Sequence, residues 1–240
     1  MEQPTQTLGL IGGMSWHSSI DYYRIINSRV AEELGGHHSA DLLMASLDFD
    51  RIRRCQVAED WAEADRILAD AARRLEGAGA EAVLICTNLM HKCAPAVEAA
   101  VDVPLLHIGD AVATAASRLG ATTLGIVGTK WTMEEAFYCE RLAQHGIATV
   151  IPDEPQRLMI DRVIWDELTQ GIVTEESRRA YAGVFEDLAA RGADAIVLAC
   201  TEIQLLVGAD DSPVPVIDSM ASHAEYAAAH ALGVGAFAAS

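Results

Sequence analysis

The sequence predicts an α/β protein of two similar lobes, each built on a parallel sheet, and three observations carry that expectation. Short apolar runs alternate with helix-length segments along the chain, the pattern of a parallel sheet with crossover helices. The chain also repeats itself. Thr123-Leu124-Gly125-Ile126-Val127-Gly128 echoes Thr7-Leu8-Gly9-Leu10-Ile11-Gly12 at an offset of 116 (123 minus 7), and Gly192 to Leu205 echoes Gly79 to His91 at 113 (192 minus 79). Val214-Pro215 echoes Val103-Pro104 at 111 (214 minus 103). Three matches in one order are the mark of a duplication. Finally, the apolar runs end in glycines or polar residues, and parallel sheets bind ligands where strands turn into helices. The expected lobes are residues 1–115, with a C-terminal helix at about 216–240 packing back on them, and residues 116–215.

Taken in order, the first strand is Thr7 to Ile11; it breaks at Gly12-Gly13 and leads through Met14-Ser15-Trp16 into a helix from about Ser18 to Leu34. After Gly35-Gly36-His37-His38 come a strand over about Asp41 to Leu47 and a long helix through Trp61 to Leu75. The strand Ala82 to Ile85 follows, then a helix from Leu89 to Ala100, a strand at Val103 to Ile108, and a helix from Asp110 to Leu119. The second half starts over at Thr123 and closes on a helix over about Ser222 to Ala236.

Bulk properties exclude several classes. With 17 Lys and Arg against 35 Asp and Glu, the formal charge of -18 repels phosphate backbones and anionic lipid, so neither nucleic acid nor a membrane is an expected partner. The mean field says little against a small anion, which a few local donors can hold. Met1 to Thr7 is polar, Leu8 to Ile11 is too short for a signal segment, and no run reaches the roughly 18 apolar residues of a membrane span, so a cytoplasmic protein is expected. The five cysteines are odd in number and include no C-x-x-C pair, which favours reduced thiols. The first glycine turn is not G-x-G-x-x-G and carries no G-K-[ST], which argues against a nucleotide cofactor. His37-His38 lacks a third ligand, so no metal is expected.

The chemistry centres on Cys200. A thiolate is a strong soft base, and a helix N-terminus after Cys200 would lower its pKa from about 8.5. Two facing lobes would gather Gly12 to Trp16, Thr87 to His91, Gly128 to Thr132 and Cys200 to Glu202 around one cleft. Asn88 and Thr201 are the first polar groups after their strands and could cap helices or bind a carboxylate. Thr132 with Glu135 fits a capping box. His91 could support the site from behind or be a satisfied surface histidine. Aligning the two Gly-Ala starts puts Thr87, not Cys86, opposite Cys200. Strand alternation then aims Cys86 away from the cleft, which keeps it as the alternative catalytic residue.

The stretches LGLIGGMSWHSSIDYYRIIN, CTNLMHK, GTKWTM and ACTEI, spread over nearly the whole chain, resemble the aspartate/glutamate racemase superfamily, closest to its bacterial aspartate racemase and broad-specificity amino-acid racemase branch. The resemblance implies two pseudo-symmetric Rossmann-like lobes with parallel four-stranded sheets, a site in the cleft between them, no pyridoxal phosphate or other cofactor, no metal, and a homodimer. It implies an acidic or small polar amino acid as substrate, with one cysteine removing the α-proton and a second returning one. By motif, Cys200 matches the cysteine that takes the proton from the L-enantiomer, and Thr87 stands where most members have the other. Asn88 matches a substrate-binding asparagine, Leu89 replaces a substrate-holding threonine, and Gly12, Met14, Ser15 and Thr129 match cleft positions, beside Thr201 and Glu202. Lys130 and Arg162 are candidates for a side-chain carboxylate clamp. The competing expectations are an isomerase or decarboxylase of small dicarboxylic acids, with Cys200 acting alone, and an amino-acid binding protein without catalysis.

Overall fold

The computed structural model describes residues 5–234. The chain forms two compact units: one runs to Ile108 and resumes at His223, and the other is Gly109–Ser222. Each unit carries a four-stranded sheet in which every pairing is parallel.

In the first unit β1 (Leu8–Gly12) leads into α1 (Trp16–Leu34), then β2 (Leu42–Ser46), α2 (Phe49–Ala58), α3 (Trp61–Gly77), β3 (Ala82–Ile85), α4 (Ala94–Glu98) and β4 (Leu105–Leu106). The order is β2-β1-β3-β4. All residues of β1 and β3 are buried, as expected of central strands covered on both faces. The apolar face of α3 repeats at helical spacing, with Ala64, Ile67, Leu68, Ala71, Ala72 and Leu75 all buried. Its start is fixed by the Asp60 side chain, which accepts from Glu63 N.

The second unit contains α5 (Ile108–Leu119) from its second residue on, β5 (Thr123–Gly128), α6 (Lys130–Glu134), α7 (Ala136–Gln144), β6 (Ala148–Val150), α8 (Glu154–Asp166), α9 (Glu175–Ala190), β7 (Ala195–Ala199) and β8 (Val216–Asp218). Its order, β6-β5-β7-β8, repeats that of the first unit. The repeated Val-Pro pairs take equivalent positions: Val83 N donates to Pro104 O and Ile196 N to Pro215 O. The final helix α10 (Ser219–Ala231) follows β8. Residues 235–240 of the expected terminal helix lie outside the described residues. Among the described residues no helix is long and apolar enough to cross a membrane.

Three local expectations are corrected. The long helix before β3 is preceded by a separate one, α2, which ends where Glu59 turns left-handed at φ 53°. The expected helix from Leu89 to Ala100 is a 3-10 turn, Leu89–Cys93, followed by the short α4. Pro95 has no N–H to reach back one α-turn to His91, so the ladder cannot run through this point. After Cys200 the chain takes two three-residue 3-10 turns, Ile203–Leu205 and Ala209–Asp211, in place of a helix.

Candidate active site

At the end of β1 the chain turns on Gly13, at φ 84°. A side chain there would collide with the backbone of Leu47, since a Cβ would lie 2.2 Å from Leu47 O. The turn is fixed from both sides. Leu47 N donates to Gly12 O at 2.9 Å, Gly13 N donates to Ser19 Oγ at 2.8 Å, and Ser19 Oγ donates to Ser15 O at 3.0 Å. Gly12 and Met14 are buried and Ser15 is half-buried at the N-cap of α1, its side chain making no capping bond. Ser19 was not singled out from the sequence; only its place one turn inside the helix hints at this role.

At the end of β3, Cys86 is fully buried and Thr87 half-buried. Burial pushes the Cys86 thiol pKa far up, so it stays protonated. The Thr87 hydroxyl makes no hydrogen bond among the described residues. Asn88 is buried and does not cap the 3-10 turn with its side chain. His91 is buried too, not on the surface: its Nδ1 lies 2.8 Å from Thr87 O, and Ile108 N donates to its Nε2 at 3.1 Å. Since Nε2 accepts, Nδ1 carries the proton and donates to Thr87 O. Burial first, then the neighbouring His107 and His223, hold the His91 pKa well below the usual value, so the ring is neutral.

In the second unit Thr129 N-caps α6 without a side-chain capping bond, and its Oγ1 lies 3.0 Å from Thr132 Oγ1. This corrects the capping-box reading: Thr132 lies inside α6, and Glu135 sits between α6 and α7. Cys200 is 9% exposed, and its Sγ donates to Glu202 Oε2 at 3.2 Å. Thr201 Oγ1 donates to the same oxygen at 2.8 Å. Burial first, and then the Glu202 carboxylate, push the Cys200 thiol well above its usual pKa. No α-helix starts there to supply the expected lowering, and the backbone N–H of Glu202 lowers the pKa by less than burial and the carboxylate raise it. Asp161 on α8 also raises it, and it accepts from Lys130 N at 2.8 Å and Trp165 Nε1 at 3.2 Å. The sequence offered no signal for Asp161, since nothing in its spacing ties it to the turn after β5. Lys130 and Arg162 are exposed, and the Arg162 guanidinium pairs with Glu167 at 3.3 Å. His37 and His38 lie exposed on the loop after α1.

The two sheets can be compared by their own registers. Ile11 pairs with Ile85 in the first, and its repeat equivalent Val127 pairs with Leu198 in the second. Ile85 is therefore equivalent to Leu198, Cys86 to Ala199, and Thr87 to Cys200. Each unit thus presents one candidate proton-transfer side chain at the same position past its central strand, a hydroxyl in one and a thiol in the other.

Comparison with known proteins agrees with this architecture. The family model for Asp/Glu/hydantoin racemases matches residues 11–227. The broad-specificity amino-acid racemase RacX of Bacillus subtilis is 24% identical over 162 residues, covering 68% of this chain and 70% of that protein. A crystal structure from Yersinia pestis, assigned as an Asp/Glu racemase, superposes with a TM-score of 0.90 at 48% identity over 95% of this chain and 99% of that one. An aspartate racemase homologue from Pyrococcus horikoshii gives a TM-score of 0.79 at 28% identity over 95% and 99%. The chain belongs to the Asp/Glu/hydantoin racemase family and is an isomerase of the racemase type.

Proposed function

We propose that this protein is a cofactor-independent racemase of the aspartate/glutamate type, acting on an acidic or small polar amino acid. Cys200 removes the α-proton of the L-enantiomer, and the proton is returned to the other face from the Thr87 side. The observation that carries this reading is the register equivalence of Thr87 and Cys200 in two sheets of one topology.

The thiol of Cys200 must lose its proton before it can act, and Glu202 Oε2 is the acceptor within reach. The resulting thiolate is buried and stands beside acidic groups, so its conjugate acid is weak and the thiolate is a strong base, as abstraction of a weakly acidic α-proton requires. The Cα–H bond breaks as S–H forms, and Glu202 releases the proton it took to water. On the other face the Thr87 hydroxyl gives a proton to the carbanion and recovers one from water. Thr129, Asn88 and Thr201, with the backbone of the Gly12 to Ser15 turn, are the groups we assign to the substrate. The complete burial of Cys86 supports Thr87 over Cys86 in the second role. The family resemblance further supports a cytoplasmic homodimer, whose mass sedimentation would read.

Enantiomers are isoenergetic in water, so kcat/KM is equal in the two directions and only the saturated rates can differ. A hydroxyl is a far weaker acid than a thiol, so loss of α-hydrogen from L-substrate is expected to outrun net inversion in deuterated water. The test is a panel of L- and D-amino acids assayed for both rates. Cys200→Ala should abolish exchange while Cys86→Ala keeps it; the reverse pattern overturns the assignment, and release of CO2 without inversion would favour a decarboxylase.

A further inference from the structure

Three histidines, His91, His107 and His223, are buried together in the first unit, and the sequence reading found a use for only the first of them. The His91 ring lies 4.5 Å from that of His107 and 5.5 Å from that of His223, both edge-on. Their hydrogen bonds fix tautomers. His91 carries its proton on Nδ1, donating to Thr87 O, and accepts at Nε2 from Ile108 N. His223 must donate from Nε2 to Leu106 O, at 2.7 Å, so its Nδ1 accepts from Tyr22 Oη at 2.8 Å. The two rings therefore hold the chain on both sides of His107, at Leu106 and at Ile108, and His91 ties that point to Thr87.

We propose that His91 is a positioning residue for the return of the proton: by donating to the Thr87 carbonyl it fixes the peptide that aims the Thr87 hydroxyl, with His223 and Tyr22 bracing the segment against which it pushes. This rests on the role given to Thr87 above. A leucine of similar size would fill the same space without polar atoms to satisfy in a dry interior, so mere packing does not call for a histidine. What the imidazole adds is a donor and an acceptor, spaced to join two backbone groups 21 residues apart (108 minus 87). The Thr87 hydroxyl makes no hydrogen bond among the described residues, so its direction depends on the backbone that carries it.

The test compares His91→Leu, which removes both bonds, with His91→Asn, whose amide N–H takes the place of Nδ1 and keeps the bond to Thr87 O. Exchange of α-hydrogen from L-substrate reads the Cys200 step, and net inversion reads the Thr87 step. His91→Leu should lower inversion about 100-fold, the effect of an ångström-scale misplacement, while exchange from L-substrate holds near wild type. His91→Asn should restore inversion. Equal loss of exchange and inversion in His91→Leu, or an Asn variant as impaired as Leu, overturns the proposal. Should His91→Leu fail to fold, the Asn variant and the wild type still decide. Long-range 1H–15N correlation on the wild type should show His91 protonated at Nδ1 and bare at Nε2, and the Thr87 carbonyl 13C shift should be kept in His91→Asn. The opposite tautomer, or a doubly protonated ring, overturns the geometry. Absence of any exchange or inversion in the wild type would overturn the racemase reading itself, whereas a working racemase with the opposite tautomer would overturn only the role of His91.

Discussion

Replacing Gly13 by alanine should cost both stability and activity, and the two losses can be separated. At φ 84° an L-residue is strained by about 1–2 kcal/mol. The new methyl would also lie 2.2 Å from Leu47 O and 2.5 Å from Leu47 N, both backbone atoms that cannot rotate away. Leu47 is held by its bond to Gly12 O, so relief requires the end of β1 to part from Leu47 by roughly an ångström, at an overpacking cost of about 1–3 kcal/mol. The sum, about 2–5 kcal/mol, is at or below the usual 5–15 kcal/mol stability of a domain, so the variant should fold. The displaced turn also carries the bond from Gly13 N to Ser19 Oγ, and if this turn binds substrate as proposed above, a shift of that size should lower turnover about 100-fold. Gly36→Ala is the matched control. Gly36 has φ 61° but nothing within 4 Å of the added methyl, so it should lose about 1–2 kcal/mol and keep full activity. Urea unfolding and α-hydrogen exchange, measured on both variants, decide the matter. A Gly13→Ala protein indistinguishable from Gly36→Ala in stability and exchange would show that the approach to Leu47 costs nothing.

Two further outcomes are expected. Glu202→Gln keeps the shape beside Cys200 but removes the proton acceptor, so exchange from L-substrate should fall by about 10²–10⁴ with little change in urea midpoint; an unchanged exchange rate would remove Glu202 from the mechanism. Stability should fall as pH drops below about 6.5, because the unfolded chain can protonate His91 there while burial keeps the folded ring neutral. The loss grows by about 1.4 kcal/mol per pH unit for each such proton until the lower folded pKa is reached. His91→Asn should flatten this dependence, and an equally steep one would place its origin elsewhere.

Much of the fold was legible because the signals were local. The strand at Ala82 to Ile85 was read with the bounds the structure has, since a wholly apolar tetrad between a Gly-Ala turn and polar residues has one extended, buried solution. The 3-10 turn after it was misread as a helix because the effect of Pro95 acts backwards, on a turn whose side chains are otherwise good helix formers. The repeat pairs Thr87 with Cys200, and the sheet registers, entered at the repeat pair Ile11 and Val127, carry the same pairing across to the neighbouring strands.

Apolar spacing and glycine positions along the chain are enough to set the alternation of strands and helices, the duplication, and which residue types stand at the strand ends. The electrostatic character of those residues comes from how the folded chain surrounds them. Cys200 has a raised pKa because side chains from remote segments bury its sulfur, and then because the half-buried Glu202 carboxylate stands 3.2 Å away. His91 became a neutral two-ended clamp because Ile108 and two further histidines, distant in sequence, close around it. A pKa depends on which charges and dipoles surround a group and how much water reaches it, and spacing along a chain does not encode either when the neighbours come from remote segments.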